Sequence, residues 1–282
     1  MSSVSRTVLL LLFAVLLVAC SRIDLAYRNL DRLSLWWIDD YLDLSSEQKR
    51  WLEPRLQADL DWHCRTQLPR YLDWLADLRH LADQPSLQPE QLETHFDHFD
   101  SALASIAERI TPGSVELLRG LSDKQVDGLT KRFDKDIREL RKEYLAPSPD
   151  KRVALRTKRM EQRLRPWFGR LSPQQRNRVQ EWAARFTARS QSWLDNRHHW
   201  QDSLLKALKN RTADDFPQHI GRLVQHPDSL WSEEYRRSYA DSRRELAELL
   251  GDLFNGASPV QRERLRTRLG ELRDDLLGLS CP

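Results

Sequence analysis

Several side-chain groups in this 282-residue chain have types and spacings that could support chemistry. His95 and His98 lie three apart, a spacing that places two imidazoles on one helix side, as a metal site needs. No third or fourth ligand is evident, so no metal and no cofactor is expected. His63 precedes Cys64, which suggests a thiol beside its base, but successive residues of a helix diverge. His198-His199 has the same defect. Asp39, Asp40 and Asp43 form an acidic ridge, either a solvated helix face or a place for a hard cation or an arginine-rich partner. Glu47 and Glu116 are carboxylates of the kind a glycosidase pairs, though no spacing selects them. A glycine-rich phosphate loop, a His-Glu-x-x-His helix and a Gly-x-Ser-x-Gly elbow are all missing from the sequence. No catalytic residue is therefore assigned, and the expectation is a protein that is not an enzyme.

Cys20 ends an apolar run, Val8–Ala19, that follows Arg6. A bilayer-spanning helix takes about 20 apolar residues, so this shorter run reads as the hydrophobic part of a signal peptide occupying 1–19. Leu17-Val18-Ala19-Cys20 resembles the lipobox of bacterial lipoproteins. The resemblance implies removal of the signal and a lipidated Cys20. Ser21 stands where inner-membrane lipoproteins usually carry Asp, so the implied address is the outer membrane, on its periplasmic side. Acyl chains then hold the protein to the membrane. Cys64 and Cys281 remain in an oxidising compartment, where two leftover thiols suggest a bridge. The alternative is a buried Cys64 and a free Cys281 near the chain end.

The elements that carry these residues read as helices almost throughout. Leu30, Leu33, Trp37, Tyr41 and Leu44 recur at steps of three and four, a stripe on one helix face. Similar stripes cover Tyr71–Leu81, Phe96–Ile110, Phe133–Leu145, Val179–Leu208 and Tyr235–Phe254. The expected fold is all-α, an array of about nine to eleven antiparallel helices. Breaks are expected at 83–86, 111–114, 146–150, 226–229 and 255–259, each rich in Pro, Gly, Ser or Asp. The clearest, Ala146-Pro147-Ser148-Pro149-Asp150, divides an N-terminal half at 20–146 from a C-terminal half at 147–282.

One pattern recurs at helix starts. Leu44-Ser45-Ser46-Glu47-Gln48, Leu121-Ser122-Asp123-Lys124-Gln125 and Leu171-Ser172-Pro173-Gln174-Gln175 share Leu-Ser-x-x-Gln. Ala257-Ser258-Pro259-Val260-Gln261 lacks the leucine, and Leu87-Gln88-Pro89-Glu90-Gln91 lacks the serine. Serine accepts from a backbone N–H three residues on, and glutamine reaches back to the serine's own N–H, which makes a capping box. The spacings of 77, 50 and 86 residues are too irregular for a tandem repeat. The pattern also resembles, more weakly, the Leu-Thr-x-x-Gln motif of small helical periplasmic chaperones.

Charge is uneven. Residues 21–100 carry 16 acids against 9 bases, whereas 150–211 carry 16 bases against 5 acids. The basic segment either pairs with the acidic helices or offers a cationic face to an anionic envelope component. Arg152, Arg156, Arg159 and Arg163 lie at helical spacing within it, and with Trp36, Asp39, Asp40 and Asp43 they form the expected partner surface. Ten Trp and eight Phe are too much apolar surface to leave disordered. An exported address excludes nucleic acid as a partner.

The lipobox, Trp36-Trp37-Ile38-Asp39-Asp40-Tyr41, the Leu44–Gln48 start and the Trp62-His63 to Leu68-Pro69-Arg70-Tyr71 stretch together resemble an uncharacterised family of proteobacterial lipoproteins. The likeness is densest over 17–82. It implies an envelope address and an all-helical build, with no known activity. The expected role is a tethered scaffold, binding module or chaperone-like module for an envelope protein client or an anionic lipid surface. The alternative is an envelope hydrolase acting on cell-wall glycan or lipid.

Overall fold

The computed structural model describes residues 27–281, and the lipobox and signal segment lie outside them. Eleven α-helices and no strand occur among the described residues. The helices are α1 Leu30–Leu42, α2 Ser46–Thr66, α3 Leu68–Ala82, α4 Pro89–Arg119, α5 Asp123–Tyr144 and α6 Pro149–Phe168. They continue with α7 Pro173–Ala188, α8 Ser190–Lys209, α9 Phe216–Gln225, α10 Glu233–Asn255 and α11 Pro259–Leu277. A 3-10 turn at Pro227–Leu230 leads into α10. The fold is all-α.

The recurrent helix starts explain how the array is tied together. Ser45, Ser122, Ser172 and Ser258 each cap a helix and form the reciprocal box with Gln48, Gln125, Gln175 and Gln261. Each glutamine oxygen accepts from its own serine N–H at 2.9–3.1 Å, which leaves the amide NH2 free to bond elsewhere. Those NH2 groups join the motifs in two pairs. Gln125 donates to Gln48 at 2.8 Å and to the carbonyls of Leu42 and Asp43, which end α1. Gln48 donates to the carbonyl of Gly120, which ends α4. Gln261 likewise donates to Gln175 at 3.0 Å and to the Arg170 carbonyl after α6, while Gln175 donates to the Leu253 carbonyl of α10.

Two four-helix units follow from this pairing. In the first, α1 packs on α2 and α5, and α2 packs on α4. In the second, α6 packs on α7 and α11, and α7 packs on α10. The helices correspond one to one as α1 with α6, α2 with α7, α4 with α10 and α5 with α11. Leu44, Leu121 and Leu171, the leading motif leucines, are all buried. One core gathers Leu44, Leu121, Val126 and Phe133 with Phe216 and Ile220 of α9. A second holds Leu164, Leu171, Val179, Trp182 and Leu253. A third seals α3 to α10 and α11 through Leu75, Leu81, Ala247, Phe254 and Leu269. Cys64 and Cys281 are bonded, which ties α2 to the segment after α11.

Three local expectations differ from the fold. The helix predicted to break at 111–114 runs unbroken through Pro112 as part of α4. Thr111 Oγ donates to the Ala107 carbonyl and Ser114 Oγ to the Ile110 carbonyl, so hydroxyls add bonds on either side of the proline, which has no N–H to give. Packing of α4 against α9 and α10 holds the helix together there. The stripe predicted over 179–208 breaks instead at Arg189, between α7 and α8. On α1 the face of Leu30, Leu33 and Trp37 is exposed, and Leu35, Ile38, Tyr41 and Leu42 face the core. The periodicity found the helix and placed Tyr41 and Leu44 correctly, but Leu30, Leu33 and Trp37 of the same stripe are exposed, because α2 and α5 cover the side that carries Leu35 and Ile38.

Candidate ligand cleft

Side chains from both units and from α8 enclose a cleft of about 600 Å³, within the size range of small-molecule sites. Arg156, Arg159, Met160 and Arg163 reach it from α6, at offsets of three, four and seven that define one helix face. Phe96, Phe99, Asp100 and Leu103 reach it from α4 with the same offsets. Packed beside α4, α10 presents Tyr235, Tyr239, Arg243 and Leu246. Trp182 and Phe186 come from α7, and Trp193 comes from α8. The break at Arg189 turns the chain between these last two helices and delivers Arg189 and Ser190 to the wall. Phe99 and Leu103 are exposed, so apolar surface continues out of the cleft onto α4.

The five arginines are not equivalent. Arg243 pairs with Asp97 and Asp100 and lies over the Phe96 ring. Arg189 grips Glu245 with two bonds of 2.7 and 2.8 Å, a fork-to-carboxylate contact. That contact holds the Glu245 carboxyl below its ordinary value and raises Arg189. Arg159 pairs with Glu143 and lies over Tyr144. Arg156 has no carboxylate partner among the described residues. Its guanidinium lies 4.4 Å from the Phe186 ring centroid and contacts Ser190 Oγ at 3.3 Å. Burial pushes Arg156 down to about 10, with Arg159 and Arg163 adding like-charge repulsion. Arg163 is exposed and also has no ion pair among the described residues.

Neutral groups shape the rest of the wall. The Trp182 indole N–H is buried without a hydrogen-bond partner among the described residues. Burial raises the Tyr235 hydroxyl, and neighbouring Tyr239 adds to the shift. Asp100 is the one carboxylate lining the cleft, and Arg243 neutralises it. The lining therefore combines a deep aromatic surface with unneutralised guanidinium groups.

The other predicted residues lie elsewhere. Trp36 is 66% exposed and Trp37 58% exposed on α1. Asp39 accepts from the Leu44 N–H at 2.9 Å and pairs with Lys49 at 2.7 Å, which makes it part of the α1–α2 turn. Asp40 pairs with Arg132 of α5. Asp43 supplies that turn's left-handed residue, with φ of 48°. Arg152, one turn before Arg156, leaves its Nε buried without a partner and does not line the cleft. His95 accepts from Trp74 Nε1 at 2.9 Å, and no group of metal-ligating side chains occurs among the described residues. His63 bonds the Tyr27 and Tyr71 hydroxyls, and burial lowers it. Glu116 is taken by Trp51 Nε1 and Arg55, and Glu47 is exposed.

Residues 40–236 match the model of a family of unknown function, DUF6279. This chain belongs to that family. No curated protein and no solved structure matches it. The DUF6279 region takes in the α4, α6, α7 and α8 walls of the cleft, together with Tyr235 from α10. Among the described residues no helix is long and apolar enough to cross a membrane.

Sequence reasoning singled out Arg156, Arg159 and Arg163 but missed Phe96, Phe99, Leu103, Tyr239 and Arg243 as their companions. The pattern Tyr235, Tyr239, Arg243 at successive steps of four was available as a signal. It places two rings and a cation on one helix face, where a buried face would be aliphatic.

Proposed function

We propose that this DUF6279 protein is an outer-membrane lipoprotein, anchored through Cys20, whose periplasmic body is a non-catalytic binding or chaperone-like module for an envelope partner. The anchor reading rests on Leu17–Cys20 closing a short apolar run. The single observation that carries the binding reading is the cleft, where aromatic depth and free arginines coincide. Such walls give area and charge for recognition. Its one lining carboxylate is already engaged by Arg243, an arrangement suited to holding a molecule.

The test is in-cell crosslinking from a photoreactive residue at Phe99, at the apolar mouth, in cells labelled with palmitate. Wild type should carry palmitate, fractionate with the outer membrane and yield one discrete adduct that Arg156→Glu abolishes. Cys20→Ala should lose the label. An unlabelled protein in the cytosol with Met1 retained sinks the address. Crosslinking at Phe99 no greater than at an exposed control such as Val260 sinks the binding role.

A further inference from the structure

We infer that the cleft binds one anionic amphiphile, its phosphate or carboxylate head on Arg156 and Arg163 and its alkyl chain along the aromatic wall. The inference rests on the binding reading above and names the ligand class. Three observations lead to it.

The first is uncompensated positive charge. Of the five lining arginines, Arg159, Arg189 and Arg243 have carboxylates at hand, whereas Arg156 and Arg163 have none among the described residues. Arg156 is held in one orientation by Phe186 and Ser190, so its planar fork is oriented before any ligand arrives. A half-buried cation that has lost solvent without gaining a counter-ion favours an incoming anion. The downward push on Arg156 has this origin.

The second is apolar depth beside that charge. Met160, Trp182, Phe186 and Leu246 form one apolar cluster beside Arg156, and Phe96 lines the same cleft. Phe99 and Leu103 extend the apolar path to the exterior, which suits a chain longer than the cleft. A free phosphate has no use for this surface. The third is size. A cleft of about 600 Å³ lies within the range of small-molecule sites and accommodates a single alkyl chain. Uncompensated charge beside an apolar lining favours a one-chain anionic lipid, and capture of a polypeptide is an outcome of the test below.

The experiment uses the mature chain carrying Cys20→Ala, so that its own anchor does not compete, titrated below micellar concentrations. Hexadecyl phosphate should bind at one per protein and shift the emission of Trp182 and Trp193 to shorter wavelength as water leaves the cleft. Inorganic phosphate and hexadecyltrimethylammonium should each bind at least about 100-fold more weakly. Arg156→Gln should weaken hexadecyl phosphate by about tenfold or more, a single lost charged contact. Arg163→Gln, at an exposed position that leaves packing intact, should weaken it by a few-fold, and circular dichroism should be unchanged in both. Equal binding of the cationic and anionic amphiphiles overturns the inference, as does undiminished affinity in both arginine variants. A polypeptide captured at Phe99 that hexadecyl phosphate fails to displace overturns it too, while leaving the binding module itself in place.

Discussion

The two glutamine pairs make the same bonds in different surroundings. Gln48 and Gln125 are half-exposed, whereas Gln175 and Gln261 are 4% and 8% exposed. Both pairs satisfy a serine N–H, each other, and carbonyls at a neighbouring helix end. Where water reaches, a severed bond is partly replaced by solvent; where it does not, each orphaned donor or acceptor bears its full desolvation cost. The same contrast holds between the second and third helices of each unit. Arg55 and Glu116 join α2 to α4 at 3.5 Å in the open, whereas Arg189 and Glu245 join the end of α7 to α10 at 2.7 Å with the carboxylate 10% exposed. One architecture occurs twice, and the second copy is the drier. Burial therefore sets how much each repeated bond contributes, although the geometry is shared.

The largest test cuts the link between the units. Cys64→Ala should lower unfolding free energy by up to about 5 kcal/mol, since the bridge closes a loop of 217 residues. Urea denaturation under oxidising and reducing conditions measures it, and reduction of wild type should reproduce the variant. A midpoint unmoved by either treatment would mean that packing of α3 on α11 and of α4 on α10 fixes the two units together without the bridge.

Next comes the ion pair. Glu245→Ala leaves Arg189 partly buried without its partner and should cost about 3 kcal/mol, against less than about 1 for Glu116→Ala at the open counterpart. The pair also has a pH signature. The folded-state value of Glu245 is depressed, so its contribution is complete above the ordinary glutamate value of 4.5 and is lost as pH falls through the lower folded one. Wild type should lose stability over that acidic window more steeply than Glu245→Gln. Parallel pH profiles of the two proteins would remove the contrast between the units.

Gln175→Ala should cost about 2 kcal/mol, because it strands the Leu253 carbonyl and the amide of Gln261 away from water and leaves the half-buried Ser172 N–H without its acceptor. Thermal unfolding measures it, and Gln261→Ala should match. A loss no larger than that at Gln48 would mean that water enters the inner pair.

Much of this was legible and some was not, for identifiable reasons. The serine–glutamine boxes could be read directly, because a cap is a local interaction spanning four residues. Their pairing could not, since Gln48 meets Gln125 and Gln175 meets Gln261 only through the tertiary fold. The unequal separations of 77 and 86 residues come from different inserts, α3 in one unit and α8 with α9 in the other. The arginine face of α6 was visible as a spacing, while the aromatic faces of α4 and α10 that complete the cleft belong to helices distant in sequence. Periodicity located α1 but gave Leu33 and Trp37 the wrong side, because the burying surface is set by α2 and α5.

The smallest effect is the most discriminating. Gln48→Ala removes the contacts to the Ser45 N–H, the Gly120 carbonyl and Gln125, the same three kinds of bond that Gln175 makes. At this half-exposed site water can replace them, and the expected cost is about 1 kcal/mol, the usual worth of a cap. The ratio between the two glutamine variants, measured by the same unfolding method, isolates burial from geometry because the bond set is held constant. Gln48→Glu sharpens the point further. It keeps the acceptor for the Ser45 N–H and places a negative charge at the α2 N-terminus, where the helix dipole favours it, while losing the donor to Gly120. It should therefore recover part of what alanine loses. At Gln175 the same change puts a carboxylate among buried carbonyl groups and should be worse than alanine. Opposite signs for one substitution at two equivalent positions would tie the difference between the units to dielectric surroundings alone, and equal signs would show that the two sites are hydrated alike.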